Sequence, residues 1–123
     1  MGDPLAEGDA GPALRMAAAE AERFLAALDG APAAPPGIDE AAASFAAEQL
    51  PSEGTGALAA IGELVERGLP GATRSAGGRF FHFVTGGGTP AALAADWLAS
   101  AIDQNSFSWV SSPLGSRSER VAV

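Results

Sequence analysis

A mainly α-helical fold is expected, and three observations predict it. Apolar side chains recur every third or fourth residue in separate stretches, as one face of a 3.6-residue helix requires. Thr89-Pro90 and Ser112-Pro113 each place a capping hydroxyl directly before a proline, which suits the N-cap and first position of a helix. Against these stands one short stretch, Phe80 to Thr85, whose aromatic and branched residues suit an extended segment.

Taken in order, residues 1–12 read as a polar, glycine-rich lead-in without order. Pro12 suits a first turn, and a helix is expected from about Ala13 to Asp29, with Leu14, Ala18, Ala21, Leu25 and Leu28 as its apolar stripe, Phe24 beside them and Gly30 as its stop. The linker Ala31 to Gly37 carries three prolines and excludes helix. Asp39 is the expected N-cap of a second helix that must stop by Leu50, because Pro51 disfavours helical geometry before it. Thr55 is the expected cap of a third, with Leu58, Ile61, Leu64 and Val65 on one side and an end near Gly68-Leu69-Pro70. Residues 71–78 read as irregular. A fourth helix follows Thr89 and reaches about Asp103, with Leu93, Trp97, Leu98, Ala101 and Ile102 as its buried side. The last helix opens at Ser112 and meets no stop signal before Val123, so the chain reads as cut within an element.

Composition limits what such a chain does alone. It has 123 residues, but much of its 47% hydrophobic content is alanine, and 16 glycines and 9 prolines raise the cost of ordering. The first three helices are too short to be stable in isolation, so their stripes need another surface. Residues 1–66 hold twelve acidic side chains and two arginines, and residues 67–123 hold three acidic side chains and five arginines. A net charge of −8 argues against binding a phosphate backbone, and no nucleic-acid partner is expected. No apolar run approaches membrane-spanning length, and Met1-Gly2-Asp3-Pro4 lacks the basic and apolar regions of a signal peptide. The absence of cysteine fits a reducing compartment, and the expectation is a cytoplasmic protein with no membrane contact. All seven basic residues are arginines, so no lysine amine is present to form a Schiff base.

Chemistry-bearing residues concentrate between Arg79 and Glu119. Gly86-Gly87-Gly88 precede a helix N-terminus, where successive N–H groups bind an anion, or else they form a plain flexible turn. His82, the one histidine, is either a general acid or base or a packed ring between Phe81 and Phe83. Phe107 and Trp109 occupy a loop with Asn105; loop aromatics serve interfaces and ligand pockets, although Trp109 reads better as a plug between helices.

The ordered block RFFHFVTGGGTPAALAADWLASAIDQNSFSWVSSPLGSRSE resembles the N-terminal part of the pyridoxal-phosphate-dependent group II amino-acid decarboxylases. The resemblance runs from about Leu50 to Glu119. It implies a helical dimerisation flap over residues 13–78, and over 79–123 the truncated start of the cofactor-binding large domain of a fold-type I enzyme, α/β when complete. It also implies a homodimer through the N-terminal helices, an amino-acid substrate, and pyridoxal 5'-phosphate held by the complete enzyme only. Substrate-binding positions carried over are His82, Phe83, Thr85, Asn105 and Phe107, the last reaching into the neighbouring subunit's site. Gln104-Asn105 is similar to a pair found in bacterial members. Two departures stand out: Gly77-Gly78 replace a His-Pro pair, and Arg117 stands where an acid is usual, while Glu119 keeps the second acid. Without the lysine, the stacking histidine and the aspartate that meets the pyridine nitrogen, this chain is expected to be inactive alone. The alternative is a non-catalytic helical interaction module or a decayed family member. A continuing reading frame with a lysine-bearing domain separates the two.

Overall fold

The computed structural model describes residues 8–46, 49 and 51–123. It is mainly helical, with no strand among the described residues. Two compact units divide it, Met1–Gly87 and Gly88–Val123. No described helix is long and apolar enough to cross a membrane.

In the first unit, α1 (Ala10–Ala26) begins within the expected lead-in, whose residues 1–7 lie outside the described residues. Pro12 is then the third helical residue, where a missing N–H is harmless because the first four donors have no intrahelical partner. The helix ends three residues early: Ala27 and Leu28 donate back to carbonyls of the last turn, and the chain leaves through overlapping turns to Gly30. Its inward face is shifted from the expected one in part: Ala18, Ala21 and Leu28 of the expected stripe, and Phe24 beside it, are half-buried, but Leu14 is 66% exposed and Leu25 41%, and Ala13, buried, and Met16, half-buried, take their place. The face is set by what lies opposite. Helix α3 (Ala57–Glu63) packs on α1, with Gly62 beside the Met16 sulfur.

Gly37, at φ 78°, turns the proline linker into α2 (Ile38–Ala46), so Asp39 lies inside the first turn and is not the cap. There, with Glu40, it still places negative charge at the positive end of the helix. The stop expected at Leu50 lies outside the described residues. Thr55 does not cap α3 either: that position is Gly56, at φ 92° and ψ 157°, with no side-chain cap. Only glycine holds that backbone without strain. After Glu63 the helix widens into a π turn, Leu64–Gly68, and tightens into a 3-10 turn, Leu69–Gly71. The run ends where the sequence places it.

Both turns carry α2. A Cβ on Gly71 would stand 2.8 Å from the Ala42 backbone, so glycine is what permits the approach. The irregular residues after Gly71 are tied to the linker by Arg74, whose N–H donates to the Ala33 carbonyl at 2.9 Å. Its guanidinium lies 5.9 Å from the centre of the Phe24 ring, closing the C-terminal end of α1.

Phe80 to Thr85 is not extended. It folds into a turn in which Phe83 and Val84 adopt left-handed φ values of 59° and 57°. For a β-branched residue this is a costly backbone.

In the second unit, α4 (Pro90–Ile102) and α5 (Pro113–Ala122) start as expected. The Thr89 hydroxyl accepts from the Ala92 N–H at 3.2 Å, and the Ser112 hydroxyl from the Gly115 N–H at 3.0 Å. Asp103, at φ 42°, ends α4 in the left-handed conformation that Asp tolerates. The buried side expected for α4 is open: Leu93 is 40% exposed, Trp97 42%, Leu98 64% and Ile102 50%. Ser112, by contrast, is fully buried. Replacing Ser112 with Ala is expected to cost about 1 kcal/mol by loss of the cap. Amide exchange at Gly115 checks it: protection there should fall while that of α4 is unchanged.

Candidate functional site

The five sequence-derived site residues fall into two groups. His82, Phe83 and Thr85 share one turn of the first unit, and Asn105 and Phe107 share one loop of the second.

The turn is held by the His82 carbonyl, which accepts from the Thr85 N–H at 3.4 Å and the Thr85 hydroxyl at 3.1 Å. The Thr85 proton is thus spent within its own loop, and its oxygen retains acceptor capacity. His82 is exposed, with its ring 5.4 Å from Phe80 in an edge arrangement and 6.0 Å from Phe83 in a tilted one. Among the described residues neither ring nitrogen has a hydrogen-bond partner, so the expected packed, satisfied histidine is replaced by an open one. Phe83 is 89% exposed.

The glycines that follow do not form an anion cradle. Positive φ among described glycines occurs at Gly37 and Gly56, so Gly86 to Gly88 lack the alternating backbone that turns successive N–H groups inward. The helix behind them has few donors to spare: Pro90 has no N–H, Ala92 gives its proton to Thr89 Oγ1 and Leu93 to the Thr89 carbonyl. The plain turn is the reading that fits.

In the second unit, Asn105 shapes the loop. Its Oδ1 accepts from the Phe107 N–H at 3.1 Å, an Asx turn, and its carbonyl accepts from the Ser111 hydroxyl at 2.7 Å. Ser108 and Ser111 are bonded to each other through both hydroxyl and backbone groups. A rigid polar frame therefore holds Phe107 out into solvent, 92% exposed. Trp109 is not the expected plug; it is 48% exposed, with the Arg117 guanidinium 4.9 Å from its ring centre. An acid at position 117 would face the negative face of the indole, so arginine suits this loop where a carboxylate does not.

One feature escaped the sequence reading. An open groove of about 650 Å³ is lined by Ser106, Phe107, Ser108 and Trp109 from the loop, by Ser116, Glu119 and Arg120 from α5 and by Val123 at its C-cap. The helix positions are spaced i, i+3, i+4 and i+7, which periodicity alone puts on one face. That they turn toward the aromatic loop is settled by the fixed loop.

No cluster of metal-binding side chains exists among the described residues. Pyridoxal phosphate fits this chain's donor set poorly, since there is no lysine to bond it and the glycine turn offers no phosphate cradle. Compared with protein-family models, with curated proteins and with solved structures, the chain matches none.

Proposed function

We propose that this chain serves as the N-terminal part of a pyridoxal-phosphate-dependent carboxy-lyase acting on an amino acid, supplying dimer contacts and a wall of the substrate pocket. The observation that supports the reading is the second unit: two proline-opened, hydroxyl-capped helices flank a polar-framed loop that presents Phe107 outward. An exposed aromatic on a rigid frame costs little to order when a partner covers it. The chain's own share is then steric. His82, Phe83 and Thr85 shape one part of a wall, Asn105 fixes the loop, and Phe107 fills a neighbouring pocket. Chemistry and cofactor lie on residues this chain does not contain.

The open apolar faces of α1 and α4 favour a second reading, a helical interaction module without catalysis.

One experiment separates them. A group II decarboxylase lacking its own N-terminal segment is mixed with this chain, and amino-acid-dependent release of carbon dioxide is measured. Recovery of activity is expected, and Phe107→Ala is expected to weaken it by about 1.5–3 kcal/mol, the burial value of a large apolar side chain. Complex formation without recovered activity favours the interaction module. In parallel, borohydride treatment after incubation with pyridoxal phosphate is expected to label no internal residue of the isolated chain, because only the terminal amine is available. A stable internal adduct refutes the assignment of cofactor bonding to other residues.

A further inference from the structure

Phe80 to Thr85 contains no Asp, Glu, Lys or Arg, no glycine and no proline; every residue is aromatic or β-branched. That is the composition of short segments that pair edge to edge between identical chains. The sequence suits a strand, yet the backbone is a turn with two successive left-handed residues, one of them β-branched. The conflict is local strain, of a kind that persists only where other contacts impose it. Few contacts do so here. Phe81 is 88% exposed, Phe83 89% and Val84 103%, and the turn is closed by the two hydrogen bonds from Thr85 to the His82 carbonyl.

Glycines bracket the segment, Gly77-Gly78 on one side and Gly86-Gly87-Gly88 on the other, and Gly78 and all three of the latter have open space around them. Phe81 to Thr85 can straighten at the cost of the Thr85 bonds and the His82 ring contacts, while Phe80, half-buried and donating its N–H to the Gly77 carbonyl at 3.1 Å, anchors the start of the segment. Straightening returns Phe83 and Val84 to favoured φ values and frees the backbone donors and acceptors of the turn for a ladder.

We propose that Phe80 to Thr85 is a strand-pairing surface whose partner is the same segment of a second copy of this chain. Once extended, Phe81, Phe83 and Thr85 share one face and Phe80, His82 and Val84 the other, by the period of two. In-register pairing with an identical copy sets like rings on like rings, and no side chain of formal charge within the segment opposes it. Arg79, directly before it, meets the Arg79 of an in-register copy and opposes pairing at that end by like-charge contact, which salt also screens. The net charge of −8 opposes approach of whole chains, so pairing should accelerate as salt screens it.

The test uses the full chain at high micromolar concentration, with and without added salt, followed by infrared amide I absorption and fibre diffraction. A β signature with a spacing of about 4.7 Å is expected, appearing faster with salt. The double variant Phe83→Gly, Val84→Gly keeps the present turn, since glycine accepts its φ values, and removes two of the pairing side chains; it should keep its helices and lose the β signature. Val110→Gly removes a residue that is 90% exposed in the other unit and should pair like the unaltered chain. The proposal is overturned if the unaltered chain stays monomeric, if it associates without a β signature, if the double variant still pairs, or if Val110→Gly abolishes pairing equally.

Discussion

In a urea titration the helical signal of the isolated chain is expected to decline gradually, without a steep transition, and a dye that binds apolar surface should be taken up while the chain is still helical. Two-state unfolding needs a core that many elements share. Here Ala13 is the one apolar side chain buried among the described residues, while Leu14, Leu25, Trp97 and Leu98 stand open. Fully burying a large apolar side chain is worth about 1.5–3 kcal/mol, and fixing each residue's backbone costs about 1–2 kcal/mol. Few of the large side chains are covered far enough to offset that cost. The apolar faces instead suit a partner surface, and a covering partner should convert the decline into a cooperative transition. A steep transition of the monomer, with a slope near 1–3 kcal/mol per molar urea, refutes this and identifies an independent domain.

Gly71→Ala is expected to undock α2. The added carbon would stand 2.8 Å from both Cα and N of Ala42, and backbone cannot rotate aside as a side chain does. The helix must shift, at about 1–3 kcal/mol for an overpacked contact. Protection of the α2 amides from exchange, and of the Ala72 amide that donates to Leu69, should fall to the level of loop residues. Gly68→Ala provides the contrast. Its Cβ would meet the end of the Leu64 side chain at 2.7 Å, a group that swings away, and Gly68 has no positive φ. A milder effect is expected there. Equal losses at the two positions would show that helix propensity, not close approach, governs both.

How much of this was legible follows the range of the forces involved. Thr89-Pro90 and Ser112-Pro113 act within one turn of their own helices, and both start where the sequence places them. The end of the third helical run near Pro70 and the left-handed stop at Asp103 are local in the same way. Thr55 and Asp39 failed as caps because the neighbouring glycines and the turn at Gly37 shifted each helix start by a residue or two, a difference that several competing cap chemistries leave open. The site residues divide similarly. Asn105 followed by Phe107 is a local Asx turn with a fixed exposed aromatic, whereas the groove beside Phe107 and the Arg117–Trp109 stack join residues eight or more apart.

The sequence by itself determined the mainly helical class, the helix starts at Pro90 and Pro113, the proline break between α1 and α2, and the absence of a Schiff-base lysine. Each depends on bonding among near neighbours or on composition alone. Tertiary structure decided which stripe of α1 turns inward, because Leu14 and Leu25 on one side and Met16 and Phe24 on the other satisfy the same periodicity until α3 and Arg74 take up their places. It decided that α2 lies against the turns ending in Gly71, where a missing side chain matters only once Ala42 approaches. At Phe83 and Val84 it overrode local preference outright: their side chains favour a strand, but a strand needs a partner edge to receive its N–H and C=O groups, and without one the chain closes on the His82 carbonyl.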